Sequence, residues 1–395
     1  MIVNGVNFFG PFEARDSIGR VAALNIECLK SSNIPCDIHL LSRPGPKEIV
    51  DYANNIDDNL ISSLNHKINI FHFNARRVPL YFSRLGKDSL KGFYNIGFWV
   101  HEMPTIPSQW ARQLEFFDEI WTPSSLCQSA VSLSANIPVV KMPYPIEKNA
   151  INNRMVERAA GKSFDVFNFL AVFDVFSDAE RKNPLFVIRA FLEAHAANPA
   201  VKLIMKTRNL DQDKMLAEKL RRICMLHKNV IVLNGYMETA ELKALYDSAD
   251  AYVSLHRAEG FGLTISDAMS RGIPVLVTGY SGNMDFCNSA DSRLVAYELK
   301  PVGHNRPRYR HDDVWAEPDL EDAAEAFRDL VQNHTIWIKK AVRARSRLAR
   351  EFSIESIGHL MQDRIDLIGR NFYFPDDMNE RHIDFEVGVC NTYGF

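Results

Sequence analysis

Little in this sequence points to cross-links, membranes or polyanions. Its 395 residues contain six cysteines, Cys28, Cys36, Cys127, Cys224, Cys287 and Cys390, with no C-x-x-C pair. That argues against a disulfide framework or a cysteine zinc site, and reads as reduced thiols in a cytoplasmic protein. No apolar run approaches the roughly eighteen residues of a membrane span. The opening, "MIVNGVNFFGPFEARDSIGR", lacks a basic segment followed by an apolar one, so no signal peptide is expected. Lys plus Arg is 46 and Asp plus Glu is 49, which gives no bias towards nucleic acid. No repeat of solenoid period is present. Neither half carries the G-x-G-x-x-G that a nicotinamide dehydrogenase needs after a first strand.

What is present is a large apolar fraction, 46%, in short runs that alternate with amphipathic helix patterns. "IVNGVNFF", "INIFHFN", "NIGFWVHEM", "FDEIWTPS" and "VVKMPYPI" read as strands of a first half. The polar stretch "EKNAINNRMVERAAGKS" reads as a linker with one possible helical turn. "FNFLAVFD", "VKLIMKT", "NVIVLNG", "DAYVSLH" and "IPVLVTG" read as strands of a second half. This alternation predicts an α/β protein with two doubly wound, parallel-sheet, Rossmann-like domains facing across a cleft. Ligands of such sheets bind where strands end in loops that lead to helices.

The stretch "HRAEGFGLTISDAMSRG" carries the strongest chemistry. A strand ends near His256, Glu259 precedes a Gly-Phe-Gly turn, and a helix follows until Gly272 and Pro274 stop it. Gly260 and Gly262 let backbone approach a ligand closely. With Phe261 and Leu263 they set the first-turn amides, at the positive end of the helix dipole, towards an anion such as a diphosphate. Glu259 can then reach a group beyond the phosphates. Asp267, one and a half turns into the helix, can face back along the ligand towards ribose hydroxyls.

"EGFGLTISDAMSRGIPVLVTGYSGNMDF" resembles the donor motif of family four glycosyltransferases, with Asp267 where that family has a second Glu. "ERKNPLFVIRAF", "NGYMETAELKALYDSADAYVSLH" and "VWAEPDLEDAA" are similar to the same family's C-terminal domain. "FWVHEMPTIPSQWARQLEFFDEIWTPS" is similar to the acceptor-domain segment of a bacterial subgroup that makes surface polysaccharides. The resemblance spans about residues 5 to 370.

It implies a GT-B fold: an acceptor domain at 1–148, a donor domain at 163–345, and a final helix with tail at 346–395 that crosses back. It implies transfer, with retention, from a nucleotide-diphosphate sugar to a glycan or lipid-linked acceptor. It implies no metal and no further cofactor. Lys182 matches the family's phosphate-binding lysine. Arg181 stands in for an arginine usually found earlier, and Lys206 is a second cation. Ser281, Gly282 and Asn283 match a small loop near the donor. Ser17 and Gly19 would offer amides to the diphosphate from the other domain. His101 and Glu102, at the end of "NIGFWVHE", would flank the reacting sugar. The neighbouring readings are a GT-B nucleotide-sugar epimerase and a non-catalytic nucleotide-sugar binder.

Two patterns carry bland readings. "DQD" at 211–213 opens a helix and reads as a cap rather than a metal motif. "KKAVRARSRLAREF" places six basic residues on one helix, a solvated face or a peripheral contact with anionic lipid at the inner membrane face.

Overall fold

The computed structural model describes residues 5–12, 16–41, 64–85, 90–162, 164–303 and 309–372. Cys390, the tail from 373 and the middle of "GPFEARDSIGR" lie outside these residues. Two six-stranded sheets organise the chain. The first contains β1 (Val6–Gly10), β2 (Cys36–Leu40), β3 (Ile68–Phe71), β4 (Tyr94–Phe98), β5 (Glu119–Thr122) and β6 (Val139–Lys141), in the order β2-β1-β3-β4-β5-β6. The second contains β7 (Phe167–Asp174), β8 (Val201–Arg208), β9 (Val230–Asn234), β10 (Ala251–Ser254), β11 (Val275–Thr278) and β12 (Arg293–Val295), in the order β12-β11-β10-β7-β8-β9.

Every ladder in both sheets is parallel. Helices cover both faces, which is why β3 ("INIF") and β4 ("YNIGF") are buried throughout rather than alternating, and their two asparagines pair, with Asn69 Nδ2 donating to Asn95 Oδ1 at 2.9 Å. The strand order reverses between β1 and β3 in the first sheet, and between β7 and β10 in the second. Ligand crevices form outside the carboxyl ends of strands at such reversals. The loops after β1, β3, β7 and β10 are therefore the places where a site is built.

Several sequence expectations shift by a few residues. β4 ends at Phe98, so His101 and Glu102 sit in the loop beyond the strand. Lys206 lies inside β8, which continues to Arg208. The polar linker is an anchored helix, Asn153–Ala159. Asn152 caps it and donates to Tyr246 O (3.0 Å) and Ala249 O (3.2 Å), while Arg154 and Arg158 close on the buried carboxylate of Asp250. A buried acid in the second domain thus recruits a segment whose composition alone reads as solvated.

Asp213 caps the helix Lys214–Leu226, accepting from Leu216 N at 2.9 Å. The basic helix, His334–Glu351, is not simply a charged outer face. Arg345 donates to Ser270 O and Asn149 O, both at 3.0 Å, and Arg347 pairs with Asp291 at 2.8 Å. The last described helix, Ile354–Asn371, packs on Ser17–Ser31 of the first domain. Gly358 allows this contact, since a Cβ there would lie 2.5 Å from Cys28 O. Arg364 locks it by donating to the buried Glu119 at 2.9 Å. Among the described residues no helix is long and apolar enough to cross a membrane.

Candidate active site

The two reversal points face each other across a cleft of about 1560 Å³. That exceeds the roughly 300–1,000 Å³ of a usual small-molecule pocket and leaves room for two substrates.

The wall from the second domain is built by the loops after β7 and β10. Asp174 and Asp178 each turn the chain by accepting amides, and Asp178 caps the short helix Ala179–Lys182. This presents Arg181 and Lys182 to the cleft. After β10, His256 holds the backbone. Its Nε2 donates to Tyr280 O (3.2 Å) and Asn283 Oδ1 (3.0 Å), and burial keeps its pKa below the usual histidine value. Glu259 follows. Its amide donates to Ser281 Oγ at 2.8 Å, and its carbonyl accepts from Gly282 N at 2.9 Å.

Lys182 Nζ donates to Glu259 Oε1, and Arg181 Nη1 lies 3.2 Å from Oε2. Burial pushes the Glu259 carboxyl up, but Lys182 and Arg181 outweigh it and bring its pKa to about 2. Burial also lowers the pKa of Lys182, with Arg181 adding to this and Glu259 opposing it. Arg181 is 3% exposed, donates to Ala258 O (2.6 Å) and Ser177 O (2.8 Å), and has Glu102 at 3.6 Å from the other domain.

Gly262 has φ +103°, and the helix Leu263–Ser270 starts directly after it without a capping side chain. The helices beginning at Ser17, Ser125, Asn153, Lys214, Leu320 and Ile354 start with an accepting side chain, whereas those at Pro184 and His334, like Leu263, do not. An uncapped start leaves first-turn amides without a side-chain acceptor, here beside two cations. Gly260 is compressed between the domains: a Cβ there would lie 2.4 Å from Val100 Cγ2. Its carbonyl accepts from Ser124 Oγ at 2.6 Å, so the turn is clasped by the first domain.

Asp267 is 8% exposed, and both its oxygens are held by Arg20 of the first domain, at 2.6 and 2.8 Å. Arg20 Nε also donates to Glu147, at 2.9 Å, in the segment between the domains. Nothing in the spacing of the sequence links residues 20, 147 and 267, so Arg20 and Glu147 were invisible there.

His101, Glu102, Ser17, Lys206, Phe261 and Leu263 also line the cleft. His101 Nε2 faces the Thr105 carbonyl at 2.9 Å. A carbonyl only accepts, so Nε2 carries the proton and Nδ1 the lone pair. Burial lowers the His101 pKa, which favours this neutral form. Thr105 in turn donates to Asp313 of the second domain, on the hairpin formed by β13 (Tyr297–Pro301) and β14 (Val314–Pro318). Sequence patterns did not show this hairpin, which rests on Met103 through Ala258, Val302 and Trp315. Lys206 donates to the carbonyls of Thr207 and Gly235, and burial lowers its pKa.

Four expected residues stand apart from the cleft lining. The Gly19 amide is already committed to the Asp16 cap at 2.9 Å. Ser281, Gly282 and Asn283 lie behind Glu259 and hold its turn. Their role in this geometry is to position backbone. Among the described residues no cluster of His, Cys, Asp and Glu could hold a metal ion.

Residues 172–299 match the family model described as Glycosyl transferases group 1. The fold is GT-B. HepE of Anabaena, solved with UDP-glucose, superposes with a TM-score of 0.66 at 11% identity over 92% of this chain and 99% of its own. A glycosyltransferase from Rickettsia africae gives 0.66 at 14% identity, over 94% of this chain and 100% of its own. An Escherichia coli protein described as trehalose-6-phosphate, bound with UDP-2-fluoro glucose, gives 0.63 at 12% identity, over 91% and 98%. No curated protein matches the chain. The family match contains both loops of the second-domain wall, so GT-B architecture and the local motif coincide at one place.

Proposed function

We propose that this chain is a retaining glycosyltransferase acting on a nucleotide-diphosphate sugar, with a glycan or lipid-linked hydroxyl as acceptor, in polysaccharide or glycan synthesis. The observation that carries the reading is the uncapped helix start at Leu263, set beside Lys182 and Arg181 and inside the matched family segment. It offers fixed amides and cations where a diphosphate leaves.

In this reading the diphosphate occupies the helix start, and Lys182 and Arg181 balance the charge that grows on it. No metal is needed for that step. In the ligand-free chain Glu259 neutralises both cations; with donor bound, it turns to a sugar hydroxyl. Asp267, oriented by Arg20, accepts from the ribose. The bond from the anomeric carbon to phosphate breaks, and the bond to the acceptor oxygen forms on the same face. The acceptor proton passes to the leaving phosphate oxygen. No side chain is assigned as a covalent nucleophile. His101 and Glu102 flank the reacting sugar from the first domain, and the contacts at Gly260 keep water out. The site works at the cytoplasmic face, where nucleotide sugars meet lipid-linked acceptors.

The test is thermal unfolding of the purified chain with GDP-, UDP- and dTDP-sugars, beside Glu259→Ala and Lys182→Ala. One donor should raise Tm in the wild type and much less in both variants. No rise with any nucleotide sugar in folded protein sinks the reading.

A further inference from the structure

The wall contributed by the first domain contains a feature that the transfer reaction does not use. Arg76 and Arg77 sit on a single 3₁₀ turn, Ala75–Arg77, directly after β3. This is the carboxyl end of a strand at the first sheet's reversal point, the place where open parallel sheets bind ligands. Both side chains line the cleft.

The other arginines of the cleft are already satisfied. Arg20 is held by Asp267 and Glu147, Arg181 by Glu259, and Arg208 by Asp174. Arg271 donates to Asp267 O at 2.8 Å. Among the described residues, Arg76 and Arg77 have neither a hydrogen bond nor an ion pair through their side chains.

The acids of the same wall are committed elsewhere. Asp16 caps the helix Ser17–Ser31, Glu102 faces Arg181, and Glu147 faces Arg20. Next to the arginines, the Asn74 side-chain Oδ1 accepts from Val100 N at 2.8 Å, which leaves its side-chain NH2 to the cleft. Trp110, a donor through its indole and an apolar platform for a ring, flanks them. Among the described residues the corner therefore offers two cations and no uncommitted carboxylate. Two consecutive arginines lining one cavity without a counter-charge among the described residues suit a forked, multi-oxygen anion.

We infer that Arg76 and Arg77 form an anion subsite in the cleft, which takes a phosphate or carboxylate carried by the acceptor. The phosphate or carboxylate is the shared chemistry, and it lies on the opposite wall from the helix start at Leu263. Assigning it to the acceptor rests on the proposed transfer reaction; the anion site itself does not.

The experiment is thermal unfolding of the full chain in sodium phosphate against sodium chloride at equal ionic strength. It is run for wild type, Lys182→Ala, R76Q and R76Q/R77Q, each with and without saturating UDP. Phosphate should raise Tm by a few degrees in wild type and in Lys182→Ala, and the rise should survive UDP. It should fall stepwise in R76Q and R76Q/R77Q, whose Tm in chloride stays near wild type. A rise unchanged in R76Q/R77Q, or abolished by UDP or Lys182→Ala, overturns the subsite. If UDP, and then GDP and dTDP in its place, all have no effect while the phosphate pattern is intact, the donor reading falls and the subsite stands. Glucose 1-phosphate, glucuronate and glucose then separate the sources. A shift with either charged sugar but not glucose supports the subsite, and the one that binds names the group. Equal behaviour of all three overturns it.

Discussion

The two walls of the cleft carry similar residues and use them differently. In the wall from the second domain, each cation meets an acid or a carbonyl: Lys182 and Arg181 meet Glu259, and Lys206 meets two backbone oxygens. In the wall from the first domain, Arg76 and Arg77 meet nothing among the described residues. The first arrangement is a buried cluster whose charges balance one another. Removing one member leaves a buried charge without its partner, which is costly. The second arrangement is solvated, and a change there costs the fold little. A motif records the first kind of wall, because its residues must act together. The second kind is free to follow the substrate.

The comparison can be broken most forcefully at Lys182. Lys182→Ala should lower the rate of sugar transfer by about 100- to 1,000-fold, as loss of one fixed donor to developing charge does. Steady-state kinetics with the donor identified by thermal shift would show it. A change below tenfold would remove Lys182 from the diphosphate site.

The walls should also respond to acid in sequence. Under the first wall lies His72, directly after β3 and fully enclosed, and burial brings its pKa down to about 4. Its folded pKa lies below the ordinary value, so the unfolded chain takes up its proton first. Stability from this group is complete above about pH 6.5 and lost as pH falls towards 4, up to about 3 kcal/mol from the 1.36 kcal/mol per unit relation. Glu259, with a pKa of about 2, gives stability that is complete above the ordinary carboxylate range and lost only towards pH 2. Urea melts from pH 7.5 to 4 should therefore show a decline that His72→Phe flattens and Glu259→Gln does not.

Gly260 tests how tightly the walls meet. Gly260→Ala forces a Cβ into Val100 and should cost about 1–3 kcal/mol by overpacking. Chemical denaturation would measure it, and Val100→Ala in the same chain should recover part of the loss. The smallest effect is expected at the cross-cleft contact of Arg20. Arg20→Ala should weaken nucleotide binding by about tenfold, the scale of one charge-assisted hydrogen bond. Binding of a 2′,3′-dideoxy nucleotide should change much less. Calorimetry with both nucleotides would sharpen whether Arg20 acts through Asp267 or through the fold.

The residues themselves explain which parts were legible in sequence. Glu259, Gly260, Gly262, Leu263 and Asp267 lie within nine consecutive positions, so one turn and one helix fix their mutual geometry. Ser281 to Asn283 hold the Glu259 turn from behind, and such a loop has the same composition as one that touches a ligand. Gly19 looked like a donor to ligand because Asp16, which takes its amide, reads as an ordinary loop acid.

By itself the sequence determined the parallel α/β alternation, the two halves and the glycine turn before the helix at Leu263. These follow from local period and local backbone freedom, which neighbours in the chain decide. Only the tertiary structure decided that Arg20 would orient Asp267 across 247 positions, that Asp250 would anchor the linker, and that Arg76 and Arg77 would face the cleft unpaired among the described residues. Ion pairing depends on distance in space, and no spacing along the chain encodes which charges the fold brings within reach.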